Sequence, residues 1–589
     1  MAKIKVMDEN LANKIAAGEV VERIVSIVKE LIENAIDAEA DTITIELKES
    51  GLREIKISDN GIGMNEEDAK LAFQRHATSK IYDDDDLFNI NTLGFRGEAL
   101  PSIAAISEVE LKTCPKDNEI GTFIHIKGGK FLETEACATN PGTSFKITNL
   151  FYNTPARLKH LSSSYAELAN VIDYVNKIAL SYTNIRFKLI NDDKELLNTN
   201  GSGNLLKVIS SIYSVNVAKK MVEINGENDD YQIKGYISLP EVTRSNKNHM
   251  TTIVNGRVVR NSTLYKSINE AYSNYKEDSR YPVCVILIET DPKLLDVNIH
   301  PSKLDIRFSN FEELNHLIKE TIDKSLRNKM LIPNIDIPKE ELPKYEHLTL
   351  NIEREETNND YRDKLSNLIN FKVAENEIEE TDPISTEAIA VEEHKKLPEL
   401  YPVALLLGTY IVCENNEGIY LIDQHAAKER CNYERVSYEL SNPSNNTISP
   451  LVPIVIELPQ NEILLLKENI DILNDLMITY EEFGTSSIRV LSHPTWFTEG
   501  KEVEIMRGII EMILNKGKDF SITKFRDNLA KMVACKMSIK ANTYIDKPSM
   551  ESLINDLRKC KNPYNCPHGR PAIIHFSIYE LEKMFHRSI

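Results

Sequence analysis

The feature that most constrains this chain is a long segment in its middle that is too polar to form a core. From about Pro333 to residue 397 the sequence is rich in Glu, Asn, Asp, Lys and Pro, as in segments 354–360 and 377–383. Such sequence cannot bury enough apolar surface to offset the entropy lost on ordering. Its length favours a flexible acidic linker between two folded parts over a variable surface loop.

The sequence on either side of this segment predicts several domains. The chain has 589 residues, more than the ~250–300 residues that a single core supports. Helical and strand patterns alternate up to about residue 330, which predicts an α/β fold with two subdomains. Apolar strand-like sequence resumes at Tyr401. We expect domains at 1–215, 216–332 and 398–589, with the linker at 333–397.

Charge and composition exclude several classes of protein. The net charge of −20 argues against a protein that coats DNA through bulk charge, so DNA contact would need local basic surface, a closed dimer or a partner. The eight scattered cysteines do not suggest a disulfide framework. No stretch approaches the ~20 apolar residues of a bilayer span, and the N-terminus leads into polar sequence. We expect a cytoplasmic protein with no membrane contact.

Residues 18–38 carry the pattern of an amphipathic helix. The apolar residues recur at intervals of three and four, and they are Val21, Ile24, Ile27, Val28, Leu31 and Ala35. Glu30, Asn34 and Asp37 are spaced by four and three, so they project from one side. By itself this row is typical of a solvated helix face. A ligand-binding row is the alternative.

A predicted hairpin follows this helix and ends in a glycine-rich turn. Residues 42–47 and 54–58 alternate in polarity around Gly51, and the second run leads into Asp59-Asn60-Gly61-Ile62-Gly63. Glycine lets the backbone approach a ligand closely. An aspartate at a strand end can accept a hydrogen bond from an amine such as that of adenine. The same motif also describes a plain turn.

Three further segments offer groups that suit a phosphate ligand. Residues 76–80 supply hydroxyls and a cation, and residues 94–100 form a glycine-framed loop that enters a helix near Glu98. A helix N-terminus is an anion site. Gly142-Thr143 lies in a predicted strand. No phosphate-binding P-loop motif is present in the sequence.

Together these segments resemble the GHKL ATPase superfamily and, within it, the MutL mismatch repair family. The closer resemblance rests on residues 15–20, 29–34, 76–80, 94–100 and 151–157, and it covers essentially all of residues 1–330. It implies a GHKL α/β sandwich followed by a transducer subdomain of ribosomal S5-like fold. Ile24 replaces the proline usual in the family, a departure that changes a helix start and touches no ligand residue.

The resemblance assigns roles in ATP hydrolysis. Glu30 would be the general base for the attacking water, Asn34 would bind Mg²⁺, and Lys303, in the transducer-like segment 296–303, would sense the γ-phosphate. Asp59 would accept a hydrogen bond from the adenine amine beside the turn that contains Gly61 and Gly63, and Thr143 would lie on the adenine side of the site. The residues that would wrap the phosphates as an ordering lid are Thr78, Ser79, Lys80, Gly94, Phe95, Arg96 and Gly97. ATP and Mg²⁺ would thus drive dimerisation.

A second candidate site lies in the C-terminal part. His425 and Glu429 would lie four apart on one face of a helix that starts near His425, with Asp423 at the preceding strand end. A surface pair is the common explanation of such spacing. Cys566 and His568 add a thiolate and an imidazole, a set that favours zinc. Cys535, on a helix predicted at 529–540, would be either a small buried residue or part of this site.

These segments resemble the C-terminal domain of nuclease-competent members of the same family. Asp423, His425, Glu429, Cys566 and His568 would bind Zn²⁺ or Mn²⁺ for phosphodiester hydrolysis, with Asp423 catalytic and Cys535 lining the site. The expected fold is α+β, for dimerisation and endonuclease activity. A non-enzymatic scaffold is the alternative for this half. A topoisomerase ATPase subunit and a chaperone offer no role for the metal ligands.

The family also implies partners. These are DNA, a second copy of the chain, a MutS-type mismatch sensor and the replication sliding clamp. The segment from Ile448 to Pro453 stands where the family carries a clamp-binding segment that begins with Gln. Its apolar end and proline are present and its leading Gln is not, so we expect weakened clamp binding.

Overall fold

The structure is a computed structural model, and it describes the two parts of the chain that flank the predicted linker. The described residues are 18, 21–80, 92–94, 97–276, 279–296, 306–330, 397–442, 446–484, 486–517, 520–538 and 543–587. The linker predicted at 333–397 lies outside them except for Leu397. The domain boundaries given above therefore remain predictions.

Helices occur throughout the described parts of the chain. In chain order they are α1 (Ile24–Asp37), α2 (Glu66–Leu71), α3 (Ala99–Ile106), α4 (Pro155–His160), α5 (Ser164–Ser181), α6 (Leu205–Ile212), α7 (Val215–Lys219), α8 (Ser262–Ala271), α9 (Phe311–Met330), α10 (Gln424–Ser441), α11 (Gln460–Glu468), α12 (Ile470–Asp475), α13 (Glu502–Leu514), α14 (Ile522–Met537), α15 (Lys547–Lys559) and α16 (Ile578–Met584). Within the described ranges, no helix is both long enough and apolar enough to cross a bilayer.

The N-terminal part is built on an eight-stranded sheet with the order β5-β4-β3-β6-β2-β1-β7-β8. Its strands are β1 (Thr42–Lys48), β2 (Glu54–Asp59), β3 (Glu108–Cys114), β4 (Gly121–Lys127), β5 (Lys130–Cys137), β6 (Gly142–Thr148), β7 (Arg186–Asn191) and β8 (Lys194–Asn198). Strands β1 and β7 pair in parallel, and the other neighbours are antiparallel. Alternate residues of β1 are buried, because one face of the sheet packs against helices that include α1 and α5.

A second sheet follows in the chain, with the order β13-β12-β15-β10-β9. Its strands are β9 (Met221–Glu227), β10 (Tyr231–Ser238), β12 (Met250–Val254), β13 (Arg257–Val259) and β15 (Cys284–Thr290). Two short pairs flank it, β11 (Thr243–Arg244) with β14 (Tyr281–Pro282), and β16 (Leu295–Asp296) with β17 (Arg307–Phe308). Helices α8 and α9 supply residues to its own apolar core.

The C-terminal part contains two smaller sheets and is α+β. One has the order β18-β19-β20-β25, and in the other β24 pairs with β21, β22 and β23. The strands are β18 (Tyr401–Leu406), β19 (Tyr410–Asn415), β20 (Gly418–Asp423), β21 (Thr447–Ile448), β22 (Ile454–Glu457), β23 (Thr479–Glu482), β24 (Ser487–Pro494) and β25 (Ile573–Ser577). Helices α13 and α14 supply much of the apolar core beside the second sheet.

Residues from the two sides of the linker are in contact. Leu464 of α11 belongs to the same buried apolar cluster as residues of α5. His249 Nε2 lies 2.8 Å from Glu462 Oε1, and both side chains are buried. The Arg280 guanidinium donates to both carboxylate oxygens of Glu511, at 2.6 and 3.1 Å. Both apolar packing and charge pairing therefore hold the C-terminal part against the N-terminal part.

The local predictions from sequence are largely confirmed. The helix expected at 18–38 is α1, although it begins later, at Ile24, and ends at Asp37. The hairpin expected at 42–58 is the antiparallel pair of β1 and β2. Strands β12 and β13 form a further hairpin, with Asn255 and Gly256 both at positive φ in its turn. The helix expected at 529–540 is α14, which begins earlier, at Ile522, and ends at Met537.

Candidate functional site

Helix α1 carries the polar row that the sequence singled out. Its apolar side is buried, with Ile24, Ile27 and Val28 fully inaccessible, while Glu30 and Asn34 remain partly exposed. The helix packs on the sheet because this apolar stripe recurs every three to four residues. Glu30, Asn34 and Asp37 therefore lie along the helix side that is not committed to the core.

Lys80 and the loop at Gly94 meet this row. The Lys80 ammonium donates to Asn34 Oδ1 at 3.0 Å and to Asp37 Oδ2 at 2.6 Å. The Asp37 carboxylate also accepts the backbone N–H groups of Leu93 and Gly94, at 3.1 and 3.2 Å. Residues from two separate loops thus gather at one end of α1. The amide oxygen of Asn34 and the carboxylate of Asp37 thus bind the Lys80 ammonium there.

This oxygen cluster fits a magnesium ion. Mg²⁺ takes hard oxygen ligands and usually binds through one or two protein groups together with substrate phosphates. Asn34 supplies an amide oxygen and Asp37 a carboxylate, and the Lys80 ammonium beside them can pair with phosphate oxygens. Asn34 would hold the ion, and Lys80 would leave Asn34 to contact the phosphates.

Asp59 lies at the end of β2 opposite Thr143 of β6. The Gly61 N–H donates to Asp59 Oδ1 at 2.9 Å. Burial raises the pKa of Asp59 to about 6, although the backbone N–H groups of Gly61 and Thr143 oppose this shift. The Thr143 hydroxyl lies 3.1 Å from that of Thr113. A partly buried acceptor whose surroundings are fixed suits recognition of an amine.

Two glycines allow close backbone approach near these groups. Gly63 has a φ of +70°, and a Cβ there would lie 2.1 Å from the Cys114 carbonyl oxygen. Gly97 has a φ of +61°, and a Cβ there would lie 2.4 Å from the Ala77 carbonyl oxygen. Both positions therefore require glycine. Gly97 brings the 94–100 loop against the segment that holds Thr78.

The structure thus places several of the predicted nucleotide residues in two groups. Asn34, Lys80 and Gly94 form one group, and Asp59, Gly61 and Thr143 form another. Thr78 Oγ1 accepts the Lys80 backbone N–H at 3.2 Å, and Ser79 next to it is exposed. Phe95, Arg96 and Lys303 lie outside the described residues.

Sequence reasoning assigned no ligand role to three residues that shape this region. Asp37 holds both loops, although only its helical spacing marked it. Thr113 donates or accepts beside Thr143 and accepts the Met64 N–H at 2.9 Å. The Arg257 guanidinium donates to the Thr92 carbonyl oxygen at 2.6 Å, which links the second sheet to the loop before Gly94. No local pattern indicates such long-range contacts.

We expect ATP affinity to fall below about pH 6. The ionised Asp59 carboxylate would accept the adenine amine, and its pKa is raised to about 6, so each further pH unit down removes about nine-tenths of the remaining ionised form. Equilibrium binding of ATP between pH 5 and 8 measures this, with a loss of about fivefold between pH 6 and pH 5 that approaches tenfold per unit at lower pH.

The titration of Asp59 does not itself favour unfolding at low pH. Folding raises the pKa of Asp59, so the folded state binds more protons than the unfolded state between about pH 4 and 6. This group therefore stabilises the fold as the pH falls through 6. Asp59→Asn should bind ATP weakly and without this pH dependence. An unchanged slope in the variant contradicts the role of Asp59.

The candidate metal centre begins at the junction of β20 and α10. Asp423 caps α10, because its Oδ1 accepts the N–H groups of His425 and Ala426 at 2.9 and 3.1 Å. The Asp423 N–H donates to the Ala572 carbonyl oxygen at 3.0 Å. The antiparallel pairing of β20 with β25 thus places the loop before β25 beside the start of α10.

That loop brings two predicted ligands to Glu429. His568 Nδ1 lies 3.0 Å from Glu429 Oε1. Potential ligand atoms of Glu429, Cys566 and His568 all lie within 4.8 Å of one another. Glu429 and Cys566 are buried, and His568 is exposed. The cluster therefore has a buried base and one solvent-facing side.

Two other predicted ligands and Cys535 are not part of this cluster. Asp423 lies six residues and His425 four residues before Glu429, and the group within 4.8 Å does not include them. Cys535 is exposed on α14, so the alternative that it is a small buried residue is wrong, and its place at the edge of the site stays a prediction. The physical reason is that α14 buries Val533 and Ala534 and turns the next side chain outward.

The donor set fits a zinc or manganese ion. A thiolate, an imidazole and a carboxylate are ligands that zinc accepts, and catalytic zinc sites commonly use three protein ligands and leave one position for water. Glu429, Cys566 and His568 supply these three groups. The exposed His568 side leaves room for a further ligand. The carboxylate component is also acceptable to Mn²⁺.

Two further residues of α10 hold the ligand loop. The Glu434 carboxylate accepts the N–H groups of Lys561 and Asn562 at 2.7 and 3.1 Å. The Arg430 Nε donates to the Asn565 carbonyl oxygen at 2.5 Å. The sequence patterns assigned a role to neither Arg430 nor Glu434. One helix thus carries a ligand and also the contacts that position the opposing loop.

We expect Glu434→Ala to destabilise the C-terminal part by about 1–3 kcal/mol, because two backbone N–H groups lose a charged acceptor. The loop that carries Cys566 and His568 should loosen, so zinc affinity should fall by about ten- to a hundredfold. Thermal unfolding and chelator competition measure the two effects. Glu439→Ala on the same helix is the matched control. Equal zinc affinity in the two variants contradicts the positioning role.

Comparisons with known proteins identify the domains that this chain contains. Three family models match: the histidine kinase-, DNA gyrase B- and HSP90-like ATPase over residues 22–127, the DNA mismatch repair protein C-terminal domain over 209–327, and the MutL C terminal dimerisation domain over 403–545. The ATPase match confirms the expected GHKL fold. The last match ends before Cys566 and His568.

Full-length relatives extend the match over the whole chain. The DNA mismatch repair protein MutL of Anoxybacillus flavithermus is 44% identical over 608 residues, and that of a Geobacillus species is 43% identical over 620 residues. Each alignment covers 100% of both chains. Among solved structures, the N-terminal domain of a DNA repair protein is 27% identical, with a TM-score of 0.48, and covers 54% of this chain and 99% of its own.

Proposed function

This chain belongs to the MutL family of DNA mismatch repair proteins, and from that premise we propose that it is an ATP-gated, metal-dependent DNA nickase. Its ATPase half would close on nucleotide, and its C-terminal half would cut one strand to start strand removal. Family membership overturns the topoisomerase and chaperone alternatives. The single observation that carries the nicking activity is the cluster of Glu429, Cys566 and His568.

The proposed nucleotide cycle uses the residues gathered around α1. Glu30 would orient and deprotonate the attacking water, Asn34 would hold Mg²⁺, and Asp59 would accept the adenine amine. Binding of phosphates would draw Lys80 away from Asn34 and Asp37, and the loops that Asp37 holds would rearrange. The contact between Arg257 and Thr92 supports transfer of this change to the second sheet. We propose the bounds 1–215 and 216–332 for these two subdomains.

The proposed cutting site uses a buried carboxylate and a loop held on α10. Glu429, Cys566 and His568 would hold the metal, and Asp423 and His425 would complete the site at the same end of the helix. A bound Zn²⁺ or Mn²⁺ would supply Lewis acidity toward the phosphate and a water of lowered pKa. Arg430 and Glu434 keep the loop in register with the helix. Because His568 is exposed, the proposed metal site is open to solvent on that side, which supports access by a DNA backbone.

A homodimer would form through the C-terminal part, within 398–589. The sheet of β18, β19, β20 and β25 and the neighbouring α16 expose large apolar side chains, including Tyr401, Val403, Leu407, Ile574 and Phe585. Exposed apolar patches of this kind mark association sites. The match to a MutL dimerisation domain covers most of these strands. Two chains joined here and closed at the ATPase halves would enclose DNA despite the net charge of −20.

Other partners follow from the family. A MutS-type mismatch sensor would recruit the dimer, and a sliding clamp would contact the segment from Ile448 to Pro453. Leu451 and Val452 in this segment are almost fully exposed, which supports its use as a docking segment. The missing leading Gln remains the reason to expect weak clamp binding.

We expect the purified chain to convert supercoiled plasmid to the nicked form with Mn²⁺ and not with EDTA. The three clustered donors provide the metal site that this activity needs. Gel assays of plasmid form, run beside ATP hydrolysis, measure it. ATP hydrolysis without nicking across Mn²⁺, Zn²⁺ and Mg²⁺ would instead favour a dimerising scaffold that recruits a nuclease.

A further inference from the structure

A second pair of cysteines lies beside the candidate metal centre and takes no part in it. The Cys431 and Cys560 sulfurs are 3.8 Å apart, although 129 residues separate them in the sequence. Both are free thiols with intermediate exposure. Their sulfurs are in direct contact within the part of the chain that the structure describes. The chain folds these two side chains onto each other with no bond between them.

The position of the pair connects it to the ligand loop. Cys431 lies on α10 between Arg430 and Glu434, the two residues that hold the loop. Cys560 ends α15 as its C-cap, immediately before Lys561 and Asn562, whose N–H groups Glu434 accepts. A bond between the two thiols would therefore fix the start of the loop to the helix that carries Glu429.

The geometry points to a reversible disulfide between Cys431 and Cys560, a redox clasp that fixes the metal-ligand loop. We propose this as a modification site of the chain. Bonded sulfurs lie about 2 Å apart, so these thiols must approach by less than 2 Å. The hydrogen bond that Arg430 donates and the two that Glu434 accepts already hold α10 and the loop together. Forming the disulfide would therefore cost little additional conformational entropy.

A low-molecular-weight disulfide such as oxidised glutathione would supply the oxidant. One thiolate of the pair attacks a glutathione sulfur, which forms a mixed disulfide and releases one glutathione thiolate that takes up a proton. The second thiolate then attacks the protein sulfur of the mixed disulfide and releases the second glutathione. The protein loses two electrons and two protons, and one glutathione disulfide becomes two thiols. In a reducing compartment the two thiols stay reduced until the concentration of the oxidised glutathione rises.

The consequence concerns the metal site, and this step rests on the proposed function. Cys566 and His568 lie six and eight residues after Cys560, on the loop that the clasp would fix. A fixed loop keeps both ligands near Glu429 and slows their departure from the ion. We expect the oxidised chain to release Zn²⁺ to a chelator at least about threefold more slowly than the reduced chain, since fixing second-sphere contacts alters metal affinity by about ten- to a hundredfold.

The test uses the full chain loaded with Zn²⁺, so that Cys566 is protected, and exposed to a series of glutathione redox buffers. Peptide mapping by mass spectrometry should find a linkage between Cys431 and Cys560 that dithiothreitol removes. Cys431→Ser and Cys560→Ser should each abolish the linkage and the slower release. Cys137→Ser, a partly buried cysteine of the N-terminal sheet, is the matched control and should change neither.

Each result decides one part of the proposal. Linkages that join other cysteines, or none at buffers that oxidise the exposed Cys535, overturn the clasp. A mapped linkage with unchanged Zn²⁺ release overturns its effect on the loop. A chain that binds no Zn²⁺ contradicts the metal centre instead. In that case mapping of the Cys566→Ser chain, which needs no zinc to protect that position, still decides the clasp.

Discussion

Glu30→Ala should reduce ATP turnover by about a hundredfold to ten-thousandfold, the usual contribution of a positioned general base, while ATP binding survives. Glu30 lies on the open side of α1, one turn before Asn34, so its removal takes away the water-orienting carboxylate and leaves the Asp59 region untouched. The apolar stripe that anchors α1 is also unchanged. ATP hydrolysis and equilibrium binding, measured on the same preparation, separate the two effects.

The same variant should also show whether bound ATP keeps the two N-terminal halves of a dimer associated. Because ATP remains bound and intact, the N-terminal halves should stay associated for longer than in the parent chain, which sedimentation or crosslinking with ATP measures. Glu46→Ala removes a carboxylate on the neighbouring β1, where it pairs with Lys56, and is the control for nonspecific charge loss. Turnover near the parent value in Glu30→Ala removes Glu30 from the role of base.

Asp423→Asn should lower Mn²⁺-dependent nicking by about a hundredfold or more while leaving ATP hydrolysis unchanged. The substitution separates two roles of this residue. Asn caps helices as well as Asp does, so the hydrogen bonds from His425 and Ala426 to the side-chain oxygen can persist. What is lost is the negative charge available to a metal ion.

The chain offers a matched control for this substitution. Asp546 caps α15 by accepting the Ser549 N–H at 3.1 Å, so Asp546→Asn makes the same change at a helix start outside the cluster. Glu429→Gln should reproduce the loss, because Glu429 contacts His568. Nicking by Asp423→Asn equal to that of Asp546→Asn shows that Asp423 only caps the helix, and leaves Glu429 as the test of the cluster.

Several elements could be predicted because their information is local. The apolar stripe of α1, the alternation in β1 and β2, and the β20 strand that runs into α10 each follow from the spacing of neighbouring residues. The row of Glu30, Asn34 and Asp37 and the pair of His425 and Glu429 were therefore placed on the correct helices. Family motifs then gave these rows their proposed chemistry.

The sequence by itself determined which groups this protein carries and on which local element, since side-chain periodicity is written into consecutive residues. Only the tertiary structure decided which of those groups meet. Glu429 reaches Cys566 and His568 because β20 pairs with β25 in a register that sets Ile422 opposite Ile573. The contact of Lys80 with Asn34 and that of Cys431 with Cys560 arise in the same way. Strand pairing and core burial between distant segments fix these meetings, and no short stretch of sequence encodes either.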